Sequence, residues 1–208
     1  MNLSSCLKLY IVLETNMLKL PLDVFLREVL SAGAGVVQLR NKYQPYEEKI
    51  KTAQIVRKIT SDYNALFIMN DSLELALKLG ADGLHLSYKD GDIKEIRQNN
   101  KGLILGYSCN NEDDVLLAND YADYAGIGPY TDTSTKKDHR AVLGAEGIYS
   151  LNSMLKIPAV AIGGINSMNA KDVLSSRVTG LAVSSYLCAS EKPYDDALKL
   201  MEIINERV

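Results

Sequence analysis

The stretch Ala159-Val160-Ala161-Ile162-Gly163-Gly164 and its counterpart one unit later, Gly180-Leu181-Ala182-Val183-Ser184-Ser185, each run a short apolar segment into a small polar turn. Apolar runs without alternation are what parallel strands covered on both faces require. Working back along the chain, the same kind of run recurs at residues 7–13, 36–40, 66–70, 83–86, 103–108 and 124–128, ahead of 159–163 and 180–184. Helical periods lie between these runs. Leu22, Phe25, Leu26, Val29 and Leu30 fall on one face of the first, and Tyr46, Ile50, Ala53, Val56 and Ile59 do so in the second. Tyr194, Ala197, Leu198, Met201 and Ile204 form the expected face of the last. Pro21 opens the first helix, while Asn111 and Ser167 are expected N-caps.

Eight strand–helix units in 208 residues predict the α/β class and a single (β/α)8 TIM barrel, with 1–208 as one domain. An open doubly wound sheet is the rival, and a count of eight units rather than five or six disfavours it. In a barrel the active site lies at the carboxyl ends of the strands, so the polar residues there carry the functional reading.

Composition narrows the partners. Apolar residues are 47% and charged residues 24% of the chain, and the formal charge is −3. That balance excludes nucleic acid or an anionic membrane as the main partner. Three widely spaced cysteines without a C-x-x-C pattern point to reduced thiols, with neither a disulfide framework nor a zinc site. The apolar run at residues 9–13 is too short for a signal or membrane helix. A cytoplasmic protein acting on small molecules is the expectation, and a homo-oligomer is expected because such barrels associate through their outer helices.

The second strand ends Gln38-Leu39-Arg40-Asn41-Lys42, and alternation puts Gln38, Arg40 and Lys42 on one side. Two cations and an amide there suit a phosphate, by forked hydrogen bonds from Arg40 and a point charge from Lys42, or else form a solvated strand end. Asn70-Asp71 precedes Ser72, a good helix-capping sequence. Asp71 and Asp90, beyond neighbouring strands, are also a pair suited to magnesium, which takes one or two carboxylates and completes its shell with phosphate and water. His85 reads as a barrel-lining residue rather than a base. Ser108 closes the fifth strand as a hydroxyl donor. Gly126-Ile127-Gly128-Pro129 leads into residues 131–144, where hydroxyls beside lysines suit a lid over an anionic ligand. Gly163-Gly164 and Ser184-Ser185 stand where this fold usually binds phosphate.

The ordered set Gln38-Leu39-Arg40-x-Lys42, Asn70-Asp71, Ala81-Asp82-Gly83-x-His85-Leu86 with Asp90, Gly106-x-Ser108, Gly126-x-Gly128-Pro129, Thr133-x-Thr135-Lys136 and Ala161-Ile162-Gly163-Gly164-Ile165 resembles the thiamine phosphate synthase family over almost the whole chain. The resemblance implies that a hydroxymethylpyrimidine diphosphate and a hydroxyethylthiazole phosphate are joined, releasing pyrophosphate. It implies that Arg40, Lys42, Asn70, Ser108 and Lys136 hold the diphosphate, that Asp71 and Asp90 bind Mg2+, and that Gln38 contacts the pyrimidine. Thr133, Thr135, Gly164 and Ser185 would hold the thiazole phosphate, with Ser184 beside them. The sequence departs from the family's pattern at Ser87-Tyr88, where Gly-Gln is usual, at Leu13-Glu14-Thr15, where Thr-Asp is common, and at Cys109.

Three other functions fit parts of this pattern. A thiazole tautomerase shares the fold and the thiazole phosphate site, but that branch tends to lose the aspartates and to carry histidine where this chain has Pro129. A non-catalytic sensor of thiamine precursors would carry the same ligand groups. A phosphosugar isomerase would need a carboxylate or lysine base at a strand end.

Overall fold

The computed structural model describes residues 2–132 and 140–206. Its eight parallel strands are β1 (Leu9–Leu13), β2 (Val36–Leu39), β3 (Leu66–Asn70), β4 (Gly83–Leu86), β5 (Ile104–Cys109), β6 (Tyr124–Ile127), β7 (Ala159–Ile162) and β8 (Gly180–Val183). They pair in sequence order, and β8 returns to β1 with Leu181 opposite Leu9 and Ala182 opposite Tyr10. That last pairing closes the barrel and excludes the open sheet.

Alternation along each strand divides the core in two. Leu9, Ile11, Leu13, Val37, Leu39, Phe67 and Met69 face outward into the layer shared with the helices. Tyr10, Val12, Val36, Ile68, Tyr124, Val160 and Ala182 face inward and fill the barrel. Both faces are therefore apolar, which is why the strands read as continuous runs.

The helices are α1 (Leu3–Cys6), α2 (Leu22–Ser31), α3 (Tyr46–Asp62), α4 (Leu73–Lys78), α5 (Ile93–Asn99), α6 (Glu112–Tyr121), α7 (Gly144–Met154), α8 (Ala170–Ser175), α9 (Ser185–Cys188) and α10 (Pro193–Asn205). The α2 face matches expectation, with Phe25, Leu26, Val29 and Leu30 buried. In α3, Ala53, Val56 and Ile59 are buried, whereas Tyr46 is exposed and donates to Glu74 over 2.6 Å.

Three expectations need correction. The first apolar run does not begin as strand: Asn2 caps a short α1, whose last residue Cys6 and following Leu7 join the inner core. In α10 the buried line is Pro193, Ala197, Leu200 and Ile204, while Tyr194 is 41% and Leu198 37% exposed. Large apolar side chains suggested a face rotated from the one that packs on α2 and α8. Asn111 does cap α6, accepting from Asp114 N at 2.9 Å. Ser167 caps nothing, because α8 begins at Ala170; its hydroxyl accepts from Tyr186 over 3.1 Å.

Asp82 and Asp123 define the far end of the barrel. Each carboxylate accepts from a strand N–H, of Phe67 at 2.7 Å and of Leu105 at 2.8 Å. Each also pairs with an arginine, Arg57 at 2.8 Å and Arg97 at 2.5 Å. Asp82 therefore holds the strand entrances together, on the face of the fold that serves stability.

Candidate active site

At the carboxyl end of the strands one cavity gathers Gln38, Arg40, Lys42, Asn70, Asp71, Ser108, Gly164, Ser184 and Ser185. Asp90 stands at its rim beside Asp71. Thr133, Thr135 and Lys136 lie outside the described residues.

Gln38 lies on β2, and Arg40 and Lys42 follow on the extension of that strand. Arg40 is mostly buried and donates to Glu14 at the end of β1, the two side chains being 13% and 10% exposed. Parallel pairing of Leu13 with Leu39 sets these two residues side by side. Glu14, noted in the sequence only as a departure from the family's pattern, is the partner of a cavity-lining arginine. It orients the guanidinium while leaving further N–H groups for a ligand, since Arg carries five donors.

Lys42 reaches Asp71, with Nζ 3.1 Å from Oδ2. Asp71 has φ +64, a left-handed conformation that Asp and Asn tolerate better than other side-chain-bearing residues. Its N–H donates to the carbonyl of His85 at 3.0 Å, tying the turn after β3 to β4. Ser72 then caps α4, accepting from Leu75 N at 3.3 Å. Burial pushes the Asp71 carboxyl above the usual carboxylate range; the facing Asp90 carboxylate adds to this and Lys42 opposes it. Asp90 in turn accepts from Ser87 N at 2.8 Å and Ser87 Oγ at 2.5 Å.

Two converging carboxylates are a donor set that fits a hard divalent cation if ligand oxygens and water complete it. Among the described residues no group of three or more His, Cys, Asp or Glu side chains could hold a metal ion without help. The pair therefore suits a cation that arrives with a phosphorylated ligand.

On the opposite rim, Gly163 and Gly164 have φ +107 and +66. A Cβ on Gly163 would lie 2.5 Å from Pro129 Cβ, and one on Gly164 would lie 2.3 Å from Thr131 Cγ2. The glycines thus allow both a left-handed turn and close seating of the sixth loop, whose Tyr130 N donates to Ile162 O at 2.8 Å. Ser184 and Ser185 face this turn at the start of α9. Ser184 Oγ is buried and, among the described residues, has no hydrogen-bond partner. A buried hydroxyl left this way is costly in a closed core and useful beside a ligand oxygen.

The departure at Tyr88 has a structural role. Arg140 stacks over the Tyr88 ring at 4.0 Å from the centroid and pairs with the buried Asp114 at 2.5 Å. Asn110 Nδ2 donates to Gly128 O at 2.8 Å and Ala141 O at 2.9 Å. These contacts fix both ends of the segment that the sixth strand feeds. Arg140 lines the cavity and was also missed from sequence, where only its proximity to the Lys136-Lys137 pair hinted at it.

Beneath the mouth, polar side chains cross the barrel. Gln38 Nε2 donates to Tyr10 at 2.7 Å, and the Tyr10 and Tyr124 hydroxyls are 2.7 Å apart. Tyr124 meets His85 Nδ1 at 3.0 Å, and His85 Nε2 meets Ser108 Oγ at 2.9 Å. His85 thus lines the barrel inside a polar chain.

A closed (β/α)8 barrel whose mouth presents cations, an amide, hydroxyls and paired carboxylates defines an enzyme scaffold for phosphorylated small molecules. The family described as thiamine monophosphate synthase (TMP-TENI) matches residues 9–187. The thiamine-phosphate synthase of Methanococcus maripaludis strain C6 is 36% identical over 209 residues, covering 100% of both chains. That of Pyrococcus furiosus is 37% identical over 207 residues, covering 99% of both. A solved thiamine phosphate pyrophosphorylase from Pyrococcus furiosus superposes with a TM-score of 0.89 at 35% identity, covering 99% of this chain and 98% of the other. The chain belongs to the thiamine monophosphate synthase family. No helix among the described residues is long and apolar enough to cross a membrane.

Proposed function

We infer that this chain catalyses the thiamine-phosphate synthase reaction. It condenses 4-amino-2-methyl-5-hydroxymethylpyrimidine diphosphate with 4-methyl-5-(2-hydroxyethyl)thiazole phosphate, yielding thiamine phosphate and pyrophosphate. The observation that carries this reading is that one cavity is lined both by Arg40, Lys42, Asn70 and Ser108 and by Gly164, Ser184 and Ser185. On this reading the first set would receive the diphosphate and the second the thiazole phosphate. A tautomerase or a phosphosugar isomerase needs only one.

The chemistry suits these residues. The thiazole nitrogen attacks as a neutral nucleophile, so no base must remove its proton. The difficult step is departure of the diphosphate from the pyrimidine methylene, a dissociative displacement through a pyrimidine cation. Arg40, Lys42 and the hydroxyl of Ser108 would meet the charge that develops on the leaving oxygens. Asp71 and Asp90 would hold Mg2+, which when bound neutralises further charge on the diphosphate. Gln38 faces the pyrimidine. The reading keeps Lys136 for the diphosphate and Thr133 and Thr135 for the thiazole phosphate, on sequence alone. It treats 1–208 as one domain, and it places the protein in the cytoplasm, with which the buried free thiols of Cys6, Cys109 and Cys188 agree.

The test is to supply purified protein with both substrates and Mg2+ and to measure thiamine phosphate and pyrophosphate in equal amounts. Folded protein that binds both ligands but forms no product would mark a sensor and overturn the assignment. Isomerisation of a thiazole phosphate without condensation would mark a tautomerase and overturn it too.

A further inference from the structure

The chain of polar groups under the site has a direction, and the direction follows from counting hydrogens. Tyr10 and Tyr124 are almost fully buried, at 1% and 0% exposed, and burial pushes both phenols above their ordinary range. Each is therefore a neutral phenol with one hydrogen to give. Tyr10 accepts from Gln38 Nε2, and either hydroxyl of the Tyr10–Tyr124 pair, 2.7 Å apart, can donate; the direction that leaves no buried phenol hydrogen without an acceptor runs from Tyr10 to Tyr124. Tyr124, having accepted, gives its hydrogen to His85 Nδ1 at 3.0 Å. A neutral imidazole that accepts at Nδ1 carries its hydrogen on Nε2, which lies 2.9 Å from Ser108 Oγ.

The barrel makes room for this chain at a specific place. A Cβ on Gly106 would lie 2.2 Å from Tyr124 Cζ and 2.5 Å from His85 Nδ1. No side chain fits on β5 at that position, and Ser108 follows two residues later on the same inner face.

We propose that Tyr124 and Tyr10 are positioning residues: they lock His85 as the Nε2–H tautomer, so that Ser108 accepts from His85 and keeps its own hydrogen for the diphosphate oxygens. The same direction turns the carbonyl oxygen of Gln38, whose amide nitrogen is engaged with Tyr10, toward the cavity. Successive bonds in one direction polarise one another in a low-dielectric interior, which strengthens Ser108 as a donor to a leaving group gaining charge. The inference rests on the assignment of Ser108 to the diphosphate, but the orientation of the chain belongs to the free protein and can be read without substrate.

The experiment uses uniformly 15N-labelled full chain and long-range proton–nitrogen spectra at neutral pH. The chain has only His85 and His139, so His139→Gln identifies the His85 signals. The expected result is a single imidazole with hydrogen on Nε2. Hydrogen on Nδ1, or on both nitrogens, overturns the proposal. In Tyr124→Phe the Nδ1–H form should appear, and kcat should fall about tenfold, one lost hydrogen bond, while KM for the thiazole phosphate stays within about twofold. Unchanged tautomer and kcat in that folded variant also overturn it. Should Tyr124→Phe fail to fold, Tyr10→Phe removes the donor to Tyr124 and should lower kcat in the same direction with KM for the thiazole phosphate within about twofold; an unchanged kcat in that folded variant overturns the proposal. A correct tautomer in a protein that forms no thiamine phosphate would sink the reaction assignment and leave the chain's direction standing.

Discussion

Lys42 and Asp71 meet at the mouth of the barrel, beyond the paired strands β2 and β3, with Nζ 3.1 Å from Oδ2, so a lysine ammonium already stands against one of the two carboxylates proposed to receive the metal. The pairing only partly offsets the burial of Asp71 and its opposition to Asp90, and its pKa stays raised. A raised folded-state pKa favours the protonated form on folding. The group's contribution to stability is therefore present below its ordinary value of 3.8 and is lost as pH rises through the folded value.

From this sign, Asp71→Asn should raise the melting temperature of the metal-free protein at pH 7 and leave it nearly unchanged near pH 3.5. Asn also accepts the φ of +64 at this position, which Ala would not, so the comparison is free of backbone strain. Thermal unfolding at the two pH values checks this. A melting temperature that falls at pH 7 would mean that the Lys42 pairing outweighs the repulsion.

Glu14→Gln removes the carboxylate from a nearly buried arginine. The cost should be roughly 1.5–3 kcal/mol, the range for a charge-assisted hydrogen bond. Inorganic pyrophosphate should then raise the melting temperature of this variant more than that of the native protein, because the anion supplies the lost partner for Arg40. Differential scanning calorimetry with and without pyrophosphate reads both effects. Equal shifts in the two proteins would show that Arg40 does not face the diphosphate.

Gly106→Ala should destabilise by about 1–3 kcal/mol, as overpacking in a dense core does. The added carbon meets the ring of Tyr124 and the imidazole of His85 rather than the end of a flexible side chain. Denaturant midpoints give the comparison, and Gly102→Ala, with open space around its Cβ, serves as the control.

Much of this architecture was legible in the sequence because burial on both faces leaves a strand nothing polar to alternate with, as in Ala159-Val160-Ala161-Ile162. Gln38, Arg40 and Lys42 were legible because polar groups at period two on an otherwise apolar strand must share a side. What escaped detection depends on neighbours distant in sequence. Glu14 reads only as a departure from the family's pattern, with no partner to give it a role, until β1 pairs with β2. Tyr10 and Tyr124 read as strand aromatics, and only closure of the barrel brings their hydroxyls together. Asp82 sits in the same motif as His85 yet lies at the opposite end of β4, serving stability. The α10 face was misjudged in part because residue size suggested Tyr194 and Leu198, whereas packing on α2 and α8 selected Pro193 and Leu200 together with the expected Ala197 and Ile204.

The central claim is that the two rims of one cavity hold two ligands independently, with Asp71 serving only the diphosphate side. It is tested most directly by measuring, in Asp71→Asn, both turnover and calorimetric binding of the thiazole phosphate. The account predicts turnover lower by at least about a hundredfold, the scale of losing a metal's charge stabilisation, with thiazole phosphate affinity within about twofold of native. Parallel loss of turnover and thiazole phosphate binding, or undiminished turnover, would contradict it.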